Sequence, residues 1–283
     1  MKTARDIETL REIIDGWRQV GETIALVPTM GGLHQGHMSL VQLAAEQADR
    51  VVVSVYVNPT QFGPAEDFDS YPRTFENDRR RLSRGGVDVM FAPDTDEMYP
   101  YGQEAMTRVT VPGLSTILCG NDRPGHFEGV TSVVSRLFNI VQPDVAVFGQ
   151  KDFQQLTIIR HMVDDMRFRV RVVAGPTLRE KDGLAMSSRN RYLGESERAV
   201  APALHHALDA CRMRILEGEH DFAKLAAEGA AQLAADGLQP EYFSIRRSHD
   251  LSTPEATDQD LVVLAAARLG KTRLIDNLLV ETR

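Results

Sequence analysis

Five short runs dominated by β-branched residues punctuate the first 180 residues: TIALVPT, VVVSVYVN, VDVMFAP, VAVFGQ and VRVVAGPT. They lack the apolar–polar alternation of a half-exposed strand, so both faces must be covered, and buried parallel strands are predicted. Between them the spacing of apolar residues predicts helices over 36–48, 74–84, 126–141 and 152–166. Strand and helix alternate, and the expected fold class is α/β with a doubly wound parallel sheet. Beyond residue 180 the pattern changes. Helices are predicted over 195–216 and 219–236, followed by the extended segments EYFSIRR, LVVLAAARL and RLIDNLLV. This tail reads as a smaller C-terminal α+β domain, giving expected domains of 1–180 and 181–283.

In doubly wound sheets, ligands sit beyond the carboxyl ends of the strands. The polar motifs fall there: His34 and His37 follow the first strand, Asn58 and Gln61 the second, Lys151 and Asp152 the fourth. In VPTMGGLHQGHMSL an apolar strand end runs into a glycine turn that delivers both histidines where a helix begins. A helix start presents unpaired N–H groups and the positive end of the macrodipole, so the segment suggests phosphate chemistry. Gly31, Gly32 and Gly36 let the backbone turn or approach a ligand closely. A plain solvated loop is the alternative reading of the histidines at this point. The Walker A loop is excluded at LGKTR because Ala265 stands where its leading glycine belongs. Zinc is set aside, since no third ligand follows at diagnostic spacing and Cys119 and Cys211 stand alone, so no protein metal site is expected. The connection 58–73, with Pro59, Gly63, Pro64 and Pro72, is long enough to be expected as a binding loop or lid.

Composition narrows the partners. The 283 residues are 42% hydrophobic and 25% charged, ordinary for a globular chain, and the formal net charge is -8. A phosphate backbone demands a positive surface, so nucleic acid is not an expected partner. Arg79, Arg80 and Arg81, beside Glu76 and Asp78, read as a solvated helix face. No stretch approaches the roughly 20 apolar residues of a membrane span, and MKTARDIETL is too polar for a secretory signal. A cytoplasmic protein with reduced thiols is expected.

Six blocks then carry a resemblance: PTMGGLHQGH, VNPTQF, YPRT, FGQKDFQQL, GLAMSSRNRYL and LIDN, in that order. The chain resembles the pantothenate synthetase (pantoate–β-alanine ligase) family, within the HxGH-type nucleotidyltransferase superfamily. The resemblance implies a Rossmann-like N-terminal domain, a C-terminal lid-like domain and an ATP site between them. It also implies a homodimer and Mg2+ accompanying ATP. The implied reaction has two steps: pantoate attacks the α-phosphate of ATP and releases diphosphate, then the amine of β-alanine attacks the pantoyl adenylate and releases AMP. An adenylyltransferase of the same superfamily, or a nucleotide-binding regulatory protein with a decayed site, are the rival readings.

Matching positions carry implied roles. Met30, Gly31, Gly32, Leu33, His34, Gln35, Gly36 and His37 resemble the first ATP-binding stretch, with His37 the proton donor. Gly149, Gln150, Lys151 and Asp152 resemble the second, and Met186, Ser187, Ser188 and Arg189 the third, while Leu178 meets the adenine through its backbone. Charge that accumulates on phosphate oxygens calls for positioned donors, which His34, His37, Lys151 and Arg189 can supply as catalytic residues. Gln61 and Gln155 match pantoate-binding positions, Gln61 also lying near β-alanine. Asn58 is a third neutral amide suited to a hydroxy acid. Tyr71, either closing over the adenylate or packing its ring, and Arg123 and His126, either anion contacts or helix-start neighbours, stay open. The serine-rich loop lacks the lysines of the related KMSKS loop but keeps Arg189, which favours this family over aminoacyl-tRNA synthetases.

Overall fold

The computed structural model describes residues 1–64 and 66–281, so Ala65 of the 58–73 connection and the last two residues lie outside the described residues. Two compact units divide the chain: Met1–Gln150 with Ile158–Pro176, and Lys151–Thr157 with Thr177 onward.

The first unit is built on β1 (Lys2–Ala4), α1 (Ile7–Gln19), β2 (Ile24–Thr29), α2 (Gln35–Ala45), β3 (Arg50–Val55), α3 (Phe75–Arg84) and β4 (Val89–Phe91). It continues with the short α4 (Thr95–Met98) and α5 (Cys119–Asp122), then α6 (His126–Val141), β5 (Val145–Gly149), α7 (Phe153–Asp165), whose first turn belongs to the second unit, and β6 (Arg171–Gly175). The sheet order is β1-β4-β3-β2-β5-β6 and every pair is parallel. The five β-branched runs are its strands, as their continuous apolar character requires: Ile24 to Val27 are fully buried. Val41 and Ala44 of α2 and Leu82 of α3 pack with Val27, Val53 and Val147 in one core. The strand order reverses at β2, which lies between β3 and β5. This is the switch point where a doubly wound sheet opens a crevice at its carboxyl ends.

The sheet has a sixth strand that the apolar pattern does not announce. Lys2–Ala4 joins the edge by pairing with Val89–Phe91. Behind it α1 is capped by Asp6, which accepts the Thr9 N–H at 2.7 Å, and buries Leu10 and Ile14 one turn apart.

The second unit contains α8 (Glu195–Val200), α9 (Ala203–Leu216), α10 (Phe222–Ala235), β7 (Gln239–Arg247), β8 (Asp260–Leu269) and β9 (Thr272–Glu281), the three strands forming an antiparallel sheet in that order. The helix predicted over 195–216 is two helices, because Pro202 has no N–H for the ladder and starts α9 as its cap. Leu204, Leu208, Cys211 and Ile215 of α9 cover Val263 and Ala265 of β8.

Candidate active site

The turn after β2 is shaped by two left-handed glycines, Gly31 at φ 78° and Gly32 at φ 62°. A Cβ on Gly31 would stand 3.1 Å from both Asp78 Oδ2 and Val55 Cγ1. Asp78 projects from α3 and is 1% exposed. Its Oδ2 accepts the Gly32 N–H at 3.0 Å and the Thr74 hydroxyl at 3.1 Å, and its Oδ1 accepts the Leu33 N–H at 2.9 Å. The expectation of a solvated helix face therefore holds for Glu76 and Arg79 to Arg81 but is corrected at Asp78. One buried carboxylate pins the glycine turn by satisfying N–H groups that would otherwise be orphaned.

That turn ends in a reciprocal cap on α2. His34 Nδ1 accepts the Gly36 N–H at 3.1 Å, while His37 Nδ1 accepts the His34 N–H at 3.3 Å. The rings lie 4.0 Å apart between centroids, tilted by 46°. With each Nδ1 an acceptor, the ring N–H sits on Nε2, so both histidines present donors at a helix start. The same turn sits at the switch point, where the partner strand β5 ends at Gly149 and runs into Gln150.

The loop after β3 holds the amides. Asn58 is 1% exposed, and its two functions are occupied by protein: Oδ1 accepts the Tyr99 hydroxyl at 2.7 Å, and Nδ2 donates to Gln61 Oε1 at 3.0 Å and Gly129 O at 3.2 Å. Burial pushes the Tyr99 phenol above its ordinary value, so it stays a protonated donor. The direction of each bond is thereby fixed, and Gln61 is held with Oε1 turned inward and Nε2, 3.1 Å from Met30 Sδ, as its donor. In the structure Asn58, a candidate contact of the hydroxy acid, lies behind Gln61 with both amide functions bonded to protein groups.

Arg123 and His126 clip the same loop. Arg123 grips Glu66 through Nε at 2.7 Å and Nη2 at 2.5 Å, and its Nη1 meets His126 Nε2 at 2.9 Å. The His126 Nδ1 donates to Gln61 O at 2.8 Å. Both residues are thus turned toward protein partners. Beside the clip is a pocket of about 290 Å3 whose walls include Thr60, Gln61, Arg108 and His126. Tyr71 is 6% exposed and packs edge-on against Phe62, 5.7 Å between ring centroids. Asp78, Glu66 and Tyr99 are the contributors that sequence reading missed.

In the second unit, Lys151 lies in the 3-10 turn Gln150–Asp152, its side chain 18% exposed and 4.0 Å from Asp152. Gln155 lies half-buried in the first turn of α7. The Met186 N–H donates to Leu178 O at 2.9 Å, which brings the implied adenine position and the serine-rich loop together. Ser187 caps the following 3-10 turn, accepting the Arg189 N–H at 3.3 Å. Lys151, Ser187, Asn190 and Asp276 line a cavity of about 10 Å3 within this unit. Ser188 is buried and Arg189 half-buried. Among the described residues no group of three or more His, Cys, Asp or Glu side chains is arranged to hold a metal ion.

A family model described as pantoate-beta-alanine ligase matches residues 2–279. The chain belongs to the pantoate–beta-alanine ligase family. It is 52% identical over 278 residues to a pantothenate synthetase of Pseudomonas fluorescens, covering 98% of each chain. It is similar to the crystal structure of pantothenate synthetase from Thermus thermophilus, with a TM-score of 0.92, 44% identity and coverage of 98% of this chain and 99% of that one. It is also similar to pantoate-beta-alanine ligase from Francisella tularensis complexed with beta-gamma ATP and beta-alanine, at a TM-score of 0.83 and 32% identity, covering 99% and 97%. The fold and the ligase family thus agree with the order of blocks from PTMGGLHQGH to LIDN.

Proposed function

We propose that this ligase joins pantoate to β-alanine at the expense of ATP, releasing AMP and diphosphate through a pantoyl adenylate. The observation that carries the reading is the His34–His37 turn, clamped by Asp78 and delivering two Nε2 donors to the switch point of a parallel sheet. In the first step the pantoate carboxylate forms a bond to the α-phosphorus as the bond to diphosphate breaks. In the second, the β-alanine amine bonds to the acyl carbon, AMP departs, and the amine loses a proton. Neither step needs a covalent enzyme intermediate, so the protein's work is placement and charge stabilisation.

His37 and His34 donate to the phosphate oxygens, and Lys151 and Arg189 supply positive charge. The stretches Met30–His37, Gly149–Asp152 and Met186–Arg189, with the backbone of Leu178, hold ATP. Gln61 and Gln155 bind pantoate, with Asn58 orienting Gln61. Residues 1–180 form the part that carries ATP and pantoate, and residues 181–283 contribute the serine-rich stretch. Mg2+ is brought by the nucleotide, and Asp152, about half exposed beside Lys151, is the acid in the nucleotide-binding stretches. When bound, Mg2+ supplies charge neutralisation on the outer phosphates. The enzyme works as a cytoplasmic homodimer. Family resemblance supports the dimer, and among the described residues no helix is long and apolar enough to cross a membrane.

The test is product analysis. Purified protein given ATP, Mg2+, pantoate and β-alanine yields AMP and pantothenate in equal amounts. Formation of ADP would instead indicate an acyl-phosphate route, and a stable adenylated product without any amine would favour the adenylyltransferase reading.

A further inference from the structure

The LIDN block near the chain's end has no part in the chemistry above, yet two of its residues are among the most buried polar groups of the molecule. Asp276 is 4% exposed and Asn277 2%. They are neighbours on β9 and so leave its two faces, one toward each of two loops. Asp276 takes a two-pronged ion pair from Arg179, Nη1 to Oδ2 at 2.6 Å and Nη2 to Oδ1 at 2.9 Å. The same guanidinium donates to Gly183 O at 3.0 Å and Asn277 O at 3.3 Å. Arg179 also bridges Ala185, next to the Leu178–Met186 backbone bond. On the other side, Asn277 Nδ2 donates to the backbone carbonyl of Lys151 at 2.9 Å.

We propose that Arg179, Asp276 and Asn277 are positioning residues that fix Lys151 and the 178–186 loop in one frame. The cluster serves position rather than stability. A buried ion pair seldom repays its desolvation, and well-packed apolar replacements are often as stable or more so. What apolar replacements cannot supply is the amide donor that sets the Lys151 carbonyl, or the fork that holds Gly183 O and Asp276 at once. An error of 1 Å in a charge-stabilising group costs on the order of 100-fold in rate.

The inference rests on the reading of Lys151 as a donor to phosphate, and the experiment separates the two. Pantoate-dependent exchange of labelled diphosphate into ATP is measured for wild type, Lys151→Ala, Asn277→Leu and the double variant. Asn277→Leu is expected to slow exchange by about 10- to 100-fold. On top of Lys151→Ala it is expected to change the rate by less than about threefold, because the group it positions is already gone. Effects that multiply, or wild-type exchange in Asn277→Leu, overturn the proposal. Wild-type exchange in Lys151→Ala overturns the reading of Lys151 and the proposal with it. Should Asn277→Leu fail to fold, the pair Arg179→Met with Asp276→Leu is used: a thermal midpoint at or above wild type with slowed exchange supports positioning. Loss of fold there too, or unaltered exchange, overturns it.

Discussion

Replacing Asp78 by Asn isolates the clamp on the histidine turn. The carboxylate accepts three bonds through two oxygens, from Gly32, Leu33 and Thr74. An amide has one oxygen, so in either orientation its NH2 faces a backbone N–H of the turn. At least one bond to a charged acceptor is lost, about 1.5–3 kcal/mol, and two buried donors confront each other. For a unit of this size, that lowers the thermal midpoint by about 3–12 °C. The turn must move to relieve the clash, and it carries His34 and His37, so turnover is expected to fall by about 10- to 100-fold. Differential scanning calorimetry and initial rates of AMP formation read the two effects. Glu76→Gln is the control, since Glu76 sits on the same helix with its side chain 67% exposed, and it should change stability by no more than about 0.5 kcal/mol. Wild-type turnover and midpoint in Asp78→Asn would refute the idea that this carboxylate shapes the site.

Truncating His37 to Ala is expected to reduce turnover by about two to three orders of magnitude while the far-UV circular dichroism is kept, as for loss of one transition-state donor; normal turnover in the folded protein would make His37 structural. Gly129→Ala places a Cβ 2.7 Å from Gln61 N and closer still to Thr60 O, so the 58–61 loop must retreat. The KM for pantoate should rise by about tenfold or more with the KM for ATP unchanged, and equal rises in both would count against a specific role for that loop. His205 is held below its ordinary value of 6.5, chiefly by burial and next by the Arg179 charge. The unfolded chain then binds more protons than the folded one, so stability is fully present above about pH 6.5 and is lost as pH falls through the folded value. Urea midpoints of the second unit should drop between about pH 7.5 and 5.5, with the drop reduced in His205→Gln; an identical pH dependence in that variant would remove His205 as the cause.

The β-branched runs were legible because a strand covered on both faces must be apolar throughout, and the structure turns each into a strand of the sheet. Lys2–Ala4 was not, since three residues with two of them polar become a strand only through Val89–Phe91. The first helix does carry a signal, Asp6 as cap and Leu10 and Ile14 one turn apart. Asp78 was hidden by its charged neighbours. Its spacing was the clue, because Thr74 and Leu82 lie one turn either side on the same helical face. Asn58 and Gln61 were visible as a pair of amides, but which one faces outward depends on Tyr99, a partner 41 positions from Asn58. Likewise, the grouping of Lys151–Thr157 with the second unit depends on contacts such as Asn277 to Lys151, which no local pattern encodes.

Pantoate is activated on the α-phosphate before the amine takes part. Exchange of labelled diphosphate into ATP, with Mg2+ and pantoate present and β-alanine omitted, tests it most directly. Exchange should require pantoate and slow by about two to three orders of magnitude in both Lys151→Ala and His37→Ala. Absence of exchange from enzyme that makes pantothenate when β-alanine is added would contradict the adenylate step, and absence of both exchange and product would contradict the proposed function.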